Sequence, residues 1–162
     1  MSENEIDART PVRLDAEDRK ILRVLQEDAT LPMERIGKKV GLSKTAVWNR
    51  VQRLNAKGVI VKQMALLNPD KAGFPETFFV AVKTNSHDAK WLAEFKEIVL
   101  TMPEIMEAYR MAGDTDYLLK VQTASTRDFD TFYKKLVSQI YLYNVTSNIS
   151  METLKYNTAL PV

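Results

Sequence analysis

The string Val40-Gly41-Leu42-Ser43 constrains this chain more than any other feature, because it stops one helix and starts the next within a single tight turn. Glycine is the natural left-handed residue after a helix, and serine is a good N-cap. Upstream, Pro32 suits a helix start, where its missing N–H costs nothing, and Ile36 and Val40 face inward. Leu42 reads as a buried plug in the turn. Downstream, Val47, Val51 and Leu54 recur at spacings of four and three, a core-facing stripe. An earlier helix opens at Asp15, with Asp18 placed for a capping box, and carries Ile21, Leu22 and Leu25 on one side. Gly58 ends the third helix, and the β-branched run Val59-Ile60-Val61 predicts a strand leaving it. Helix, tight turn and helix, with short strands beside them, make a winged helix-turn-helix over residues 14–62, preceded by a mobile arm at residues 1–13.

Charge is distributed unevenly. From Arg35 to Lys62 there are eight basic residues and no acid, which leaves 15 of the 23 basic residues against all 21 acids elsewhere, a net of −6. A basic stretch inside an otherwise acidic chain suits a polyanion; a solvated lysine-rich surface would look the same by charge alone. The outward side of the third helix tips the balance. Opposite its apolar stripe lie Lys44, Thr45, Trp48, Asn49 and Gln52, side chains able to bond base edges and phosphates in a major groove that admits one α-helix. Ser43 and the first amides of that helix are placed to meet a phosphate. Arg50 and Arg53 lie nearer the flank and suit backbone contact. Two positions stay open: Trp48 could be half-buried against the first helix, and Arg50 could pair with Glu17 or Asp18.

Residues 63–76, with Pro69, Gly73 and Pro75, form a linker, and the pattern then changes. Phe78–Val82 reads as a strand and 89–101 as a helix closed by Met102-Pro103. Residues 105–112 and 117–123 are strands flanking Gly113-Asp114-Thr115-Asp116, a hairpin signal. A capping box at Ser125 and Asp128 opens a helix with Phe129, Phe132, Tyr133, Leu136 and Val137, and a last strand runs over 144–154. The order βαββαβ over residues 77–162 is ferredoxin-like, so the whole chain is α+β. A four-stranded sheet with both helices on one side has a bare face, and the usual cover is a second copy. A homodimer is therefore expected from topology.

Several classes fall away on composition. With no cysteine and one histidine, His87, thiolate metal sites, cysteine nucleophiles and multi-histidine sites are excluded, and no metal or cofactor is expected. His87 reads as a solvated loop residue. No apolar run approaches the ~18 residues that span a bilayer, and Glu3, Glu5 and Asp7 make the first residues unlike a signal peptide. A cytoplasmic protein with no membrane partner is expected.

Leu14-Asp15-Ala16-Glu17-Asp18-Arg19-Lys20-Ile21-Leu22, then Val40-Gly41-Leu42-Ser43, then Val47, Arg50-Val51, Arg53-Leu54 and Gly58-Val59-Ile60 resemble the leucine-responsive/asparagine regulator (Lrp/AsnC, feast/famine) family. The string Tyr109-Arg110-Met111-Ala112-Gly113-Asp114-Thr115-Asp116-Tyr117-Leu118-Leu119-Lys120-Val121 resembles its amino-acid-sensing domain. The resemblance implies a sequence-specific transcriptional regulator that binds double-stranded DNA, dimerises through the second domain and assembles into octamers or similar rings. It also implies an amino-acid effector bound between dimers near the Gly-Asp hairpin. A free amino acid needs an anion for its ammonium group, which Asp114 or Asp116 would supply, and N–H donors for its carboxylate, which the backbone at Gly113 and Thr115 would supply. Met111 lies in the same string, and Ser147 and Ile149 correspond to family positions near the pocket. The residues alone favour a plain turn, and it is the resemblance that points to a pocket. One departure stands out: where many members carry Pro-Gly before the last strand, this chain has Ile140-Tyr141-Leu142-Tyr143.

Two rival readings remain at this level. A nucleoid-packaging protein would bind DNA through phosphates with little sequence preference. An enzyme on a dimeric ferredoxin-like barrel would need a histidine–carboxylate pair or metal cluster that the second half lacks.

Overall fold

The computed structural model describes residues 10–86 and 88–162, so most of the expected arm and the expectation for His87 lie outside the described residues. The chain divides into two compact units, one of residues up to Ala65 together with Tyr156–Val162, the other Leu66–Lys155.

In the first unit, α1 spans Ala16–Glu27. It begins where the Asp18 amide donates to Asp15 Oδ1 (2.8 Å) and the Asp15 amide donates back to Asp18 Oδ2 (3.2 Å), a reciprocal cap that satisfies two orphan donors. Helix α2 spans Met33–Val40, with Pro32 just outside it as N-cap, and stops at Gly41, whose φ of 76° is left-handed. Helix α3, Lys44–Ala56, starts on the Ser43 hydroxyl, which accepts from the Ala46 amide at 3.2 Å. Ile21, Ile36, Val47 and Val51 form the buried centre, with Leu31, Val40 and Leu42 packed around it. Burying side chains of this size stabilises by about 1.5–3 kcal/mol each.

The turn is tighter than Gly41 alone suggests. A methyl group on Gly37 would sit 2.5 Å from the Leu42 carbonyl oxygen, while the Leu42 amide donates to the Gly37 carbonyl at 2.9 Å. The backbone of the turn lies directly on the helix before it, and only glycine fits between.

The expected strand at Val59–Val61 does not form. The Val59 and Ile60 amides fold back onto the Leu54 carbonyl (2.9 and 3.3 Å), and Val61 is exposed with no partner strand to pair with. Among the described residues this unit is helical throughout. The last residues also depart from expectation: Tyr156–Val162 group with this unit rather than with the sheet. The Gln26 amide group exchanges two bonds with the Leu160 backbone (3.1 and 2.6 Å), and Arg23 Nε donates to the Val162 carbonyl (2.7 Å).

The second unit opens with a one-turn helix, α4 (Pro69–Ala72), inside the expected linker. Then follow β1 (Glu76–Lys83), α5 (Ala89–Thr101), β2 (Ile105–Arg110), β3 (Tyr117–Thr123), α6 (Thr126–Gln139) and β4 (Asn144–Ile149), the expected βαββαβ order. The sheet is antiparallel throughout, in the order β2-β3-β1-β4. Strand β4 ends at Ile149 rather than 154, because its register sets Ile149 opposite Phe78, and the Ser150 amide makes the final bond, to Thr77.

Strict alternation separates the two faces. Phe78, Val80, Val82, Leu119 and Val121 point to the helices and pack with Phe95, Phe132 and Leu136. The Phe78 and Phe129 rings stack at 3.8 Å between centroids. In the string Ile140-Tyr141-Leu142-Tyr143, Ile140 is buried and Leu142 packs on the core, while Trp91 Nε1 donates to the Tyr141 carbonyl at 3.1 Å. The departure from the family pattern is thus absorbed by the core and still delivers the chain into β4.

Substituting Gly37→Ala should cost about 1–3 kcal/mol, the range for overpacking a close-packed site. Gly41→Ala should cost about 1–2 kcal/mol from left-handed backbone alone. Urea unfolding followed by circular dichroism checks both; a neutral Gly37→Ala would refute the close approach.

Candidate nucleic-acid interface and hairpin site

Helix α3 is held from two sides. Its apolar stripe Val47, Val51 and Leu54 is buried. On the adjoining flank, Arg50 and Arg53, one turn apart, converge on the start of α1. Arg50 Nη1 donates to Asp18 Oδ1 (2.8 Å) and to both oxygens of Asp15 (2.8 and 2.6 Å). Arg53 Nη2 donates to both oxygens of Asp18, each at 2.5 Å. The Asp18 side chain is 1% exposed, a burial tolerable for a carboxylate only because both its oxygens are paired. The hydrogen bond from Arg50, then that from the Asp18 amide, holds the Asp15 carboxyl down at about 2, and the same carboxylates raise the Arg50 pKa.

This geometry divides the eight candidate DNA-contacting residues. Lys44, Thr45, Asn49 and Gln52 are exposed on the outward side. Trp48 joins them at 51% exposure, which decides its open position in favour of outward. Ser43 is exposed, with its hydroxyl engaged as the helix cap. Arg50 and Arg53 are the exception. Their first partners are Asp15 and Asp18 rather than a free anion, and Glu17 takes no part. Spacing alone could not show this, because the partners lie 32 to 35 residues away along the chain.

The cations of the acid-free stretch divide in the same way. Lys38 is paired with Glu34. Arg35, Lys39, Lys44, Lys57 and Lys62 form no ion pair among the described residues. Four of these five were not singled out as contacts individually; the only signal for them was the lack of neighbouring acids.

The hairpin between β2 and β3 also sorts its residues. The Asp116 carboxylate accepts from the Thr84 amide (2.8 Å), its own amide donates to the Val82 carbonyl (3.1 Å), and its carbonyl accepts from the Met111 amide (2.8 Å). Asp116 therefore ties the hairpin to the end of β1, with one of its carboxylate oxygens engaged by the Thr84 amide. Asp114 is exposed and makes no hydrogen bond among the described residues, beside Gly113 at φ 136° and half-buried Thr115. Met111 is 44% exposed. Ser147 and Ile149 are not brought to this hairpin within the chain. They lie opposite Val80 and Phe78 on β4, with β1 intervening before β3.

The helix-free face of the sheet carries Thr77, Phe79 and Ala81 from β1, Leu118, Lys120 and Gln122 from β3, and Glu107 and Tyr109 from β2. Lys120 Nζ and the Tyr109 hydroxyl both donate to Glu107 (2.9 and 2.5 Å), and Phe79 remains 40% exposed among these polar groups. Among the described residues no group of acids and histidine is arranged to hold a metal, and no helix is long and apolar enough to cross a membrane.

Comparison with known proteins bears on both units. The family model of the AsnC-type helix-turn-helix domain matches residues 14–55, and that of the Lrp/AsnC ligand binding domain matches residues 77–160. The chain is 43% identical to the DNA-binding transcriptional activator DecR of Escherichia coli (strain K12), over 92% of this chain and 99% of that protein. It is 47% identical to an AsnC family transcriptional regulator from Agrobacterium tumefaciens, with a TM-score of 0.89 over 91% of this chain and 97% of the other. A Neisseria meningitidis transcriptional regulator in an L-Met complex superposes at a TM-score of 0.87 with 28% identity, over 92% and 97% of the two chains.

Asp18→Ala would strand Arg53 and leave Arg50 with Asp15 alone. Removing one partner of a buried pair costs about 3–5 kcal/mol; arginine exposures of 27% and 44% bring that down to about 2 kcal/mol through solvent screening. Denaturant unfolding of the variant measures it, and an unchanged midpoint would remove Asp18 as the anchor.

Proposed function

The chain belongs to the Lrp/AsnC family of DNA-binding transcriptional regulators, which are not enzymes, and on that footing we propose that it controls transcription by laying the outward side of α3 in the major groove of a defined operator. One observation carries this reading: Lys44, Thr45, Trp48, Asn49 and Gln52 are all exposed along one side of a helix whose other sides are engaged by the core and by Asp15 and Asp18. Asn49 and Gln52 match the bidentate pattern that adenine presents in the groove. Arg35, Lys39, Lys57 and Lys62, unpaired among the described residues, supply phosphate contacts around them.

The sheet unit serves assembly and sensing in this proposal. Its helix-free face, with Phe79, Leu118 and Tyr109 among polar groups, is covered by a second copy, giving a homodimer that presents two recognition helices to a two-fold site about 34–36 Å from half to half. Dimers gather further, into octamers or similar rings. The effector is an amino acid. Its ammonium group meets Asp114, its carboxylate the backbone at Gly113 and Thr115, and Met111 contributes an apolar wall. Ser147 and Ile149 join only from another copy, since β1 separates them from the hairpin. The L-Met complex of the Neisseria regulator supports this class of ligand. As a regulator acting on genomic DNA, the protein works in the cytoplasm in this proposal.

Footprinting with the full chain tests the whole reading: a regulator protects a defined, roughly palindromic site, whereas indiscriminate protection would favour a packaging role. Asn49→Ala should lose about 1–3 kcal/mol of discrimination for the operator with little change on unrelated duplex. Equal operator binding by variant and wild type removes Asn49 from base readout. Asp114→Ala should abolish any amino-acid-induced change in particle size or DNA affinity, as read by light scattering and gel shift; a retained response excludes Asp114.

A further inference from the structure

We propose that Asp15 is a built-in counter-anion of the recognition helix: it holds Arg50 in the DNA-free protein and must give way to a DNA phosphate, and so it sets how tightly the protein grips duplex of any sequence. This rests on the DNA-binding reading above.

Three features of the cluster carry the inference. First, Arg50 is tethered by one corner. All three of its bonds leave from Nη1, to Asp15 twice and to Asp18 once, and Nε and Nη2 have no partner among the described residues. Second, the two acids are not equivalent. Asp18 is buried at 1% exposure, whereas the Asp15 side chain is 47% exposed. Asp15 lines a shallow hollow with Ala46, Asn49, Arg50 and Arg53 along the flank of α3 that adjoins its outward side. A phosphate entering there meets the open corner of Arg50 and the Asp15 carboxylate together, and like charges at a few ångströms repel. Third, Asp15 can release Arg50 without harm to the fold. Its Oδ1 also accepts the Asp18 amide as the cap of α1 (2.8 Å), and Arg50 keeps its bond to Asp18. An exposed ion pair is worth little in water, so exchanging it for a charge-assisted bond to phosphate is an easy trade.

The consequence is a brake on non-specific binding. With Asp15 in place, Arg50 adds phosphate affinity only where the duplex is positioned well enough to displace a carboxylate.

The test uses the full chain and a duplex of random sequence, with affinity read by fluorescence anisotropy between about 50 and 200 mM salt. Asp15→Asn removes the charge and keeps a side-chain oxygen for the cap. It should tighten binding roughly five- to tenfold near 0.1 M salt and steepen the log–log salt slope by about 0.9, the increment of one added phosphate contact. Asp15→Ser, a second cap-preserving change, should behave alike, and matching thermal melts confirm that both variants fold. Glu17→Gln makes the same charge change in the same turn but pairs with neither arginine, so it should have far less effect. In an Arg50→Gln background Asp15→Asn should change nothing, because the two effects act through one contact. An unchanged Asp15→Asn, or a gain that persists without Arg50, overturns the proposal. Wild-type protein that binds no duplex at all would instead overturn the function on which it rests.

Discussion

The orientation of α3 depends on a single buried carboxylate. Asp18 is almost wholly out of water, and a charge in that position is stable only when opposite charges meet it with good geometry. Arg50 and Arg53 do so because residues three apart lie on one flank of a helix, so both reach this carboxylate, Arg50 at Oδ1 and Arg53 at both oxygens. The apolar stripe fixes α3 against the core and the arginines fix it against α1. Between them they leave no freedom of rotation about the helix axis. Lys44, Thr45, Trp48, Asn49 and Gln52 remain outward, so the exposed side of α3 is defined by what the rest of the helix has already committed.

The close approach at Gly37 acts in the same direction. By letting the Leu42 carbonyl lie on α2, it holds the turn short and brings Ser43 directly into position to start α3. The sheet unit solves a different problem. Its helices cover one face, and the other mixes Phe79, Leu118 and Tyr109 with a Lys120–Glu107–Tyr109 chain of bonds. Such a face is apolar enough to bury and polar enough to specify register, which suits pairing with a copy of itself better than docking into a generic greasy groove.

Much of this was legible from residues in order. The capping pair Asp15 and Asp18, the Gly41 stop, the Ser43 start and the βαββαβ order all follow from contacts within a few residues, where local chemistry decides the outcome. Val59-Ile60-Val61 failed as a strand because β propensity needs a partner strand, and instead its first two amides found the end of α3. Asp114 and Asp116 are identical to a reader of sequence. Only the sheet register, which brings Thr84 onto one of them, separates the anchor from the open acid.

Residue order alone sets the starts of the longer helices, the alternation that gives the sheet a dry side and a wet side, and the basic, acid-free stretch around the turn, because each is written in neighbouring side chains. Tertiary structure alone decided which cations are spent internally, which aspartate faces solvent, why Gly37 admits no side chain, and that the last residues join Gln26 and Arg23. Each of those is a contact across dozens of residues, and charge pairing, steric exclusion and hydrogen bonding at that separation depend on distances that only the folded chain sets.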